Sequence, residues 1–258
     1  MNSGVRCIAL SLAFLCPCAG TALEYEAGVG AGVNVSGSWG EDAADIRDER
    51  VLPAAEVSVS YRPLVRFAGG AMFLAHVSSR FFIEADVVYA RKGDNLHADI
   101  QAGPDAFEAD SNMLDYLVRS TQIEDFVEMP LLAGVRFMPS SRVRPFVVAG
   151  VTAGVLVRAR RRTRRQYNEL VGSAQFKEYL KTEYPSSERT SLTDTRTGYD
   201  IGPTVGGGIE IGEGSGKVRI GLRATSGFIS RLRADSGENT PDVKRFSVSL
   251  RTGYRTRF

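Results

Sequence analysis

VRPFVVAGVTAGVLVRAR, residues 143–160, alternates residue by residue between two kinds of side chain. The odd-numbered positions from Val143 to Val157 are all apolar, whereas the even-numbered positions from Arg144 to Arg158 mix glycine, hydroxyl, arginine and apolar residues. A period of two is typical of a β-strand with one apolar face. Strands of soluble proteins run to about 5 or 6 residues, whereas a tilted membrane strand needs about 9 to 11. The length of this segment therefore predicts a strand that crosses a membrane, with Arg158 on its inner face.

Residues 245–258 alternate in the same way. One face carries Phe246, Val248, Leu250 and Tyr254, and the chain ends on this face at Phe258. The other face carries four arginines, which would be costly in an ordinary apolar core. This face is therefore predicted to line a polar, ion-paired interior. The four arginines are Arg245, Arg251, Arg255 and Arg257.

Six further segments show comparable alternation, and the connections between segments are long and short in turn. Such a pattern predicts an all-β protein, an eight-stranded antiparallel transmembrane β-barrel of the outer-membrane type, with long extracellular loops and both ends in the periplasm. Residues 54–63 also alternate and are interpreted as an extension of the second strand, because one extra strand would give an odd number. The eight segments are 23–35, 65–77, 80–92, 122–138, 143–160, 198–212, 217–232 and 245–258, with long connections after residue 35 and at 93–121 and 159–197 and a medium one at 233–242.

The first 22 residues have the layout of a secretory signal peptide. Arg6 precedes an apolar stretch and a small-residue run that ends at Ala22, so residues 1–22 are predicted to be removed and residues 23–258 to form the barrel domain. All three cysteines lie within this segment, and a lipoprotein is disfavoured because small residues do not precede Cys16 or Cys18 in the required manner. After residue 22 no apolar run has the length of a membrane helix, which leaves a closed barrel as the way to span a membrane. The formal net charge of +2 gives no sign of nucleic-acid binding.

Three motifs resemble those of the PorT-like family of outer-membrane β-barrel domains. They are Tyr89-x-x-Lys92-Gly93, Glu128-x-Pro130-Leu131-Leu132, and Tyr199-Asp200-Ile201-Gly202 leading into Gly206-Gly207-Gly208-Ile209-Glu210. The resemblance extends over nearly the whole mature chain and implies the fold, but it implies little about activity. It also implies that the outer-membrane insertion machinery recognises the C-terminal strand through Phe258. From the residues themselves, Pro130 removes a ladder donor and predicts a bulge within 128–132.

Charged residues of both signs fall on the predicted inner face. The interior of an eight-stranded barrel is just wide enough for its side chains to fill, so these charges are predicted to interlock and close the barrel. A charge-lined selective pore is the alternative. The predicted lumen network comprises Glu84, Asp86, Glu128, Arg136, Arg144, Glu210, Arg219, Arg223, Arg251 and Arg255.

The densest charge cluster in the chain comprises Arg158, Arg160, Arg161, Arg162, Arg164 and Arg165. On the outer leaflet these arginines would meet lipopolysaccharide phosphates, which guanidinium groups bind through two hydrogen bonds. Alternatively, they would pair with the chain's own acidic loops, and the sequence does not separate the two possibilities. The acidic candidates are Glu41, Asp42, Asp45, Asp48 and Glu49 on the first loop and Asp94, Asp99, Asp105, Glu108, Asp110 and Asp115 on the second.

Enzymatic function has little support in the sequence. His76 and His97 are the two histidines, and neither stands in a serine and carboxylate pattern that sequence alone would single out. We expect no enzyme activity, no cofactor and no metal site, since no spaced second histidine joins His97.

A short helix is expected within 166–184. The loops are predicted to bind a surface ligand or partner while the barrel acts as an anchor; a lipid-modifying enzyme, a small solute channel and a component of a secretion system are the alternatives.

Overall fold

The computed structural model describes residues 24–39, 56–102, 113–171, 174–183, 185–194, 196–229 and 244–257. The expected signal peptide, the first acidic loop, Asp105, Glu108, Asp110 and Phe258 lie outside these ranges. What the sequence analysis expects of them stays a prediction.

Nine strands and one helix make up the described chain. The strands pair antiparallel with their neighbours, and β9 pairs with β1 to close a ring. The short β6 pairs with residues 160–164 of β5, directly beyond the stretch 143–155 that pairs with β7, so β6 and β7 share one position in the ring. The predicted eight-stranded antiparallel barrel is thus confirmed. The elements are β1 (Glu24–Trp39), β2 (Glu56–His76), β3 (Phe81–Ala102), β4 (Met113–Arg136), β5 (Val143–Val171), α1 (Ala174–Glu183), β6 (Ser187–Ser191), β7 (Tyr199–Ile211), β8 (Gly216–Ser226) and β9 (Lys244–Arg257).

The two faces of β5 differ as their residues predict. Val147, Val151 and Val155 point outward and are about half exposed, while Phe146 and Val148 point inward and are buried. An outward apolar surface of this kind suits a hydrocarbon environment, and aromatic residues flank it at both ends. None of the described helices has the length and apolar character needed to cross a bilayer.

Four strands continue well beyond the apolar belt. The stretches 93–121 and 159–197 were predicted to be loops, and that prediction is wrong for most of their length. β3 runs to Ala102, β4 begins at Met113 and β5 runs to Val171, with α1 and β6 following. Outside the lipid neither face must be apolar, so the alternation fades although the backbone ladder persists. Residues 56–63 belong to β2, which confirms the predicted extension.

The bulge predicted within 128–132 lies elsewhere. β4 pairs with β5 in unbroken register from Phe126 to Arg136, and the register shifts between Asp125 and Phe126, which leaves Val157 as the extra residue of β5. At Pro130 the ladder to β3 skips Met129 and Pro130 while the register is kept. The missing proline donor is therefore accommodated by a local gap in one ladder, which needs no inserted residue.

Candidate functional site

Three layers of charged side chains fill the interior, with aromatic residues between them. The lower cluster, at the periplasmic end, is built around Glu26 and Glu210. Glu210 contacts Arg255, Arg136 at 3.3 Å and Arg144 at 3.4 Å. Glu26 contacts Lys217, Arg255 at 3.3 Å and His76 at 2.8 Å.

The middle cluster is built around Glu84 and Asp86 of β3. Glu84 contacts Arg223 and, at 2.8 Å, Arg219. Asp86 accepts a hydrogen bond of 2.7 Å from Arg223 and lies 3.9 Å from Arg251. Arg251 also lies 4.0 Å from Glu128. Together the two clusters contain all ten residues of the predicted lumen network.

A pair of phenylalanines separates these two clusters. Phe82 and Phe146 meet edge to face with ring centroids 6.4 Å apart. Arg136 of the lower cluster lies 4.6 Å from the Phe82 centroid, and Arg219 of the middle cluster lies 3.6 Å from the Phe146 centroid. Stacking of a guanidinium on a ring face is favourable and compensates part of its lost hydration.

The upper cluster, toward the extracellular end, contains residues that sequence reasoning missed. Glu124 binds Arg245 at 2.8 Å and lies 3.7 Å from Arg196, which also donates a 2.6 Å hydrogen bond to Gln122. Glu124 and Gln122 alternate in phase with Glu128 along β4, and this phase was the signal that would have found them. Arg196 gave no signal, because it follows β6 in an irregular stretch. The lower-cluster residues Lys217 and His76 were likewise missed.

Two of the motifs behind the family resemblance meet inside the barrel. Lys92 contacts Glu128, so the charged residues of Tyr89-x-x-Lys92-Gly93 and Glu128-x-Pro130 form an ion pair. The backbone N–H of Gly93 donates to the Ser36 hydroxyl at 2.9 Å. Gly93 has a φ of 147°, and a Cβ there would lie 1.9 Å from the Gln122 carbonyl oxygen. Glycine is therefore required at this position.

The arginine cluster is divided between the two faces of β5. Beyond the bulge at Val157 the even-numbered residues point outward, and Arg158, which was predicted to face inward, is exposed. The bulge is the cause, because one extra residue exchanges the faces of all residues that follow. We define the outer arginine face as Arg158, Arg160, Arg162 and Arg164.

The other two arginines of the cluster belong to the alternate, inward phase. Arg165 is buried and lies 3.3 Å from Glu188 of β6. Arg161 is half-buried and its Nε is without a hydrogen-bond partner. The six-residue cluster is thus divided into four residues that point outward and two that belong to the opposite phase of the strand.

The outer arginine face has no carboxylate partner within the described residues. Asp125, which lies near these arginines, forms an ion pair with Arg91 at 2.6 Å. Asp94 is buried on the opposite side of β3, and Asp99 is exposed. A cavity of about 490 Å³ lies along this surface. It is lined by Thr121, Ile123, Arg158, Ala159, Arg160, Arg161, Arg162, Arg189, Thr190 and Ser191.

His97 lies on the outward side of β3, near the same surface. Burial and the nearby guanidinium groups of Arg62 and Arg119 lower the pKa of His97 below its ordinary value. Ser60 is its register partner on β2, but no hydrogen bond between their side chains occurs within the described residues. Nor do the described residues contain a group of three or more His, Cys, Asp or Glu side chains suited to a metal ion.

Comparison with known proteins bears on the family. Residues 20–233 match the family model described as outer membrane protein beta-barrel domain. No curated protein matches the sequence. Among solved structures, OprG of Pseudomonas aeruginosa is 11% identical with a TM-score of 0.33, covering 92% of this chain and 95% of that one.

Two further solved structures are similar to the same degree. Neisserial surface protein A is 12% identical with a TM-score of 0.34, covering 92% of this chain and 100% of that one. Ail of Yersinia pestis is 13% identical with a TM-score of 0.32, covering 90% and 99%. Because the family model spans most of the sequence and the described strands close into an eight-position ring, the chain belongs to the outer membrane protein beta-barrel domain family and resides in the outer membrane.

Proposed function

We propose that this protein is a surface-interaction barrel whose outer arginine face binds the phosphate groups of lipopolysaccharide, with the barrel itself acting as a closed anchor. The observation that carries the proposal is a row of four outward arginines that have no carboxylate partner in the described chain and begin where the lipid-facing apolar belt ends.

The height of this row suits a lipid headgroup layer. Val155 and Val157 are the outward apolar residues of β5 that directly precede the arginines, and Tyr199 is the register partner of Val155. Exposed tyrosine at this level is typical of the membrane–water interface. A strand tilted by about 40° gains roughly 2.5 Å of height per residue, so the outer arginine face would span about 15 Å above the belt.

The chemistry of the surface favours phosphate. Guanidinium groups bind phosphate oxygens through paired N–H donors, and their weak hydration lowers the cost of the contact. The Nε atom of Arg160 is buried and has no hydrogen-bond partner in the described chain. A buried donor without an acceptor is unfavourable, and a phosphate bound in the adjacent cavity would supply one.

The test is lipopolysaccharide binding by the purified protein in detergent. Replacing Arg158, Arg160, Arg162 and Arg164 by serine is expected to weaken binding at least tenfold and to reduce its dependence on salt. Arg80 and Arg142, two exposed arginines at the periplasmic end, provide the matched control variant R80S/R142S. Binding that is equally strong in the quadruple variant and the control would refute the proposal.

The second part of the proposal is that the barrel does not conduct ions. It is supported by the three charge layers and by the small size of the cavity near the upper cluster, about 10 Å³, lined by Ser36, Lys92, Glu124 and Arg245 among others. Such a volume holds about one water molecule. Steady, large single-channel currents in a planar bilayer would contradict this part and favour the solute-channel alternative.

We further infer a non-enzymatic role and a place among the PorT-like members of the family. Both ring nitrogens of His76 are engaged, Nε2 by Glu26 at 2.8 Å and Nδ1 by Arg136 at 2.6 Å, so neither is left to take a proton from a nucleophile. His97 faces arginines instead of an orienting carboxylate. The ion pair between Lys92 and Glu128 supports the PorT-like placement, because it joins two motifs of the resemblance. Release of fatty acid from phospholipid or lipopolysaccharide, lost in a Ser60→Ala variant, would overturn the non-enzymatic part.

A further inference from the structure

Two pairs of arginines face each other directly across strands on the outward surface. Arg119 of β4 is the register partner of Arg164, and Arg162 is the register partner of Arg189 on β6. All four side chains are exposed. Like charges on directly opposed residues destabilise a strand pair, so the free protein maintains an unfavourable arrangement at two adjacent places.

The carboxylates of neighbouring described residues do not relieve this repulsion. Glu188, next to Arg189 in sequence, lies on the other face and contacts Arg165. Asp125 lies below the two pairs and is bound to Arg91. None of the four paired arginines makes an ion pair within the part of the chain that is described. The charge is therefore available to an external anion.

The register fixes the spacing of the two pairs. Neighbouring strands lie about 4.8 Å apart and a strand rises about 3.4 Å per residue, so the centres of the two pairs are roughly 8 Å apart. Arg162 and Arg189 line the 490 Å³ cavity, together with Thr121 and Ile123. A single phosphate occupies one pair, whereas a ligand with two suitably spaced anionic groups occupies both.

We propose that the two cross-strand arginine pairs, Arg119 with Arg164 and Arg162 with Arg189, form a binding site for a ligand that carries several phosphate or sulfate groups. The site rests on the proposed function in sharing Arg162 and Arg164 with the outer arginine face. It goes further by adding Arg119 and Arg189, which lie outside the arginine-rich stretch of β5, and by defining the ligand as a polyanion recognised through the spacing of its charges.

The experiment measures binding of inositol hexakisphosphate to the full-length protein in detergent micelles, with inorganic phosphate at equal phosphate concentration as the single-group probe. The variant R119S/R189S removes one member of each pair, and R80S/R142S is the matched control. We expect the wild type and the control to bind inositol hexakisphosphate alike, R119S/R189S to bind at least tenfold more weakly, and inorganic phosphate to bind at least a hundredfold more weakly. Equal binding by R119S/R189S, or equal binding of inorganic phosphate, overturns the proposal.

A second measurement separates this proposal from the first. If lipopolysaccharide binding requires Arg158 and Arg160 while inositol hexakisphosphate does not bind, the proposed function stands and the paired site is refuted. If inositol hexakisphosphate binds through the pairs and lipopolysaccharide does not bind, the paired site stands and its ligand is a soluble or glycan-borne polyanion.

Thermal unfolding at low salt provides an independent test of the repulsion within the two arginine pairs. Removing one arginine from each like-charged pair should raise the midpoint of the ligand-free protein by a few degrees, because a repulsion is lost. A lower midpoint in R119S/R189S than in R80S/R142S would mean that carboxylates of the chain already neutralise the pairs. That result overturns the proposal.

Discussion

Arginines inside the barrel and arginines on its outer surface differ in burial and in pairing. Inside, Arg219, Arg223 and Arg255 are buried and each contacts a carboxylate. Outside, Arg158, Arg162 and Arg164 are exposed and have no partner in the described chain. A buried charge must be paired to be tolerated, whereas an exposed one is stabilised by water. The inner arginines are therefore part of the packed interior, whereas the outer ones make no ion pair within the described residues.

The largest effect is expected from removing an inner carboxylate. Glu84→Gln leaves Arg219 and Arg223 buried beside a neutral amide, which should lower the free energy of unfolding by about 3 to 5 kcal/mol. The measurement is the urea midpoint in lipid vesicles. Glu213→Gln in the exposed turn between β7 and β8 is the chemically identical control. Equal midpoints for the two variants would show that the middle cluster does not hold the barrel together.

A smaller loss of folding stability is expected from a substitution at Gly93 of β3. Gly93→Ala forces a Cβ into a backbone with φ of 147° and to within 1.9 Å of the Gln122 oxygen. We expect about 1 to 3 kcal/mol of destabilisation in the same assay. Gly198→Ala is the control, because a Cβ there meets nothing within 4 Å. A neutral Gly93→Ala would mean that the backbone relaxes at this point.

Removing outer arginines should leave folding nearly unchanged. For Arg158→Ser, a change at an exposed position outside the two like-charged pairs, we expect a change within about 0.5 kcal/mol, the usual range for exposed positions. Arg219→Ser, which loses the Glu84 contact and the stacking on Phe146, should be far less stable. The comparison fails if both variants lose stability to a similar extent, because the outer arginines would then be structural as well.

The smallest expected effect is a shift in the titration of His97. Because burial and the charges of Arg62 and Arg119 disfavour the imidazolium, the pKa of His97 should lie below its ordinary value of 6.5. Folding stability then falls slightly as pH drops through 6.5, since the unfolded chain binds the proton more readily. Arg119→Ser should raise the pKa, as should a bound polyanion. The titration is followed by NMR, and a pKa of His97 that is unmoved by Arg119→Ser would contradict this account.

The membrane-embedded part of the fold was predictable from sequence because lipid imposes a simple rule. Most outward residues there must be apolar, so the alternation within Val143–Val157 and Phe246–Tyr254 predicts both the strand and its outward face. The ten lumen charges followed from the same alternation. Above the apolar belt, outward residues need not be apolar. The strands at 94–102 and 113–121 were therefore predicted to be loops, although their backbones pair continuously.

The sequence by itself determined the eight positions of the ring, the lipid-facing surface and the presence of an arginine-rich segment. Tertiary structure alone decided which arginine faces where. One extra residue at Val157 reverses the phase of β5, and local periodicity does not reveal an insertion whose only signature is pairing with another strand. The like-charged pairs at Arg119 and Arg189 are likewise set by register between segments far apart in the chain. Period-two patterning is a local property, whereas register is fixed by backbone hydrogen bonds between strands.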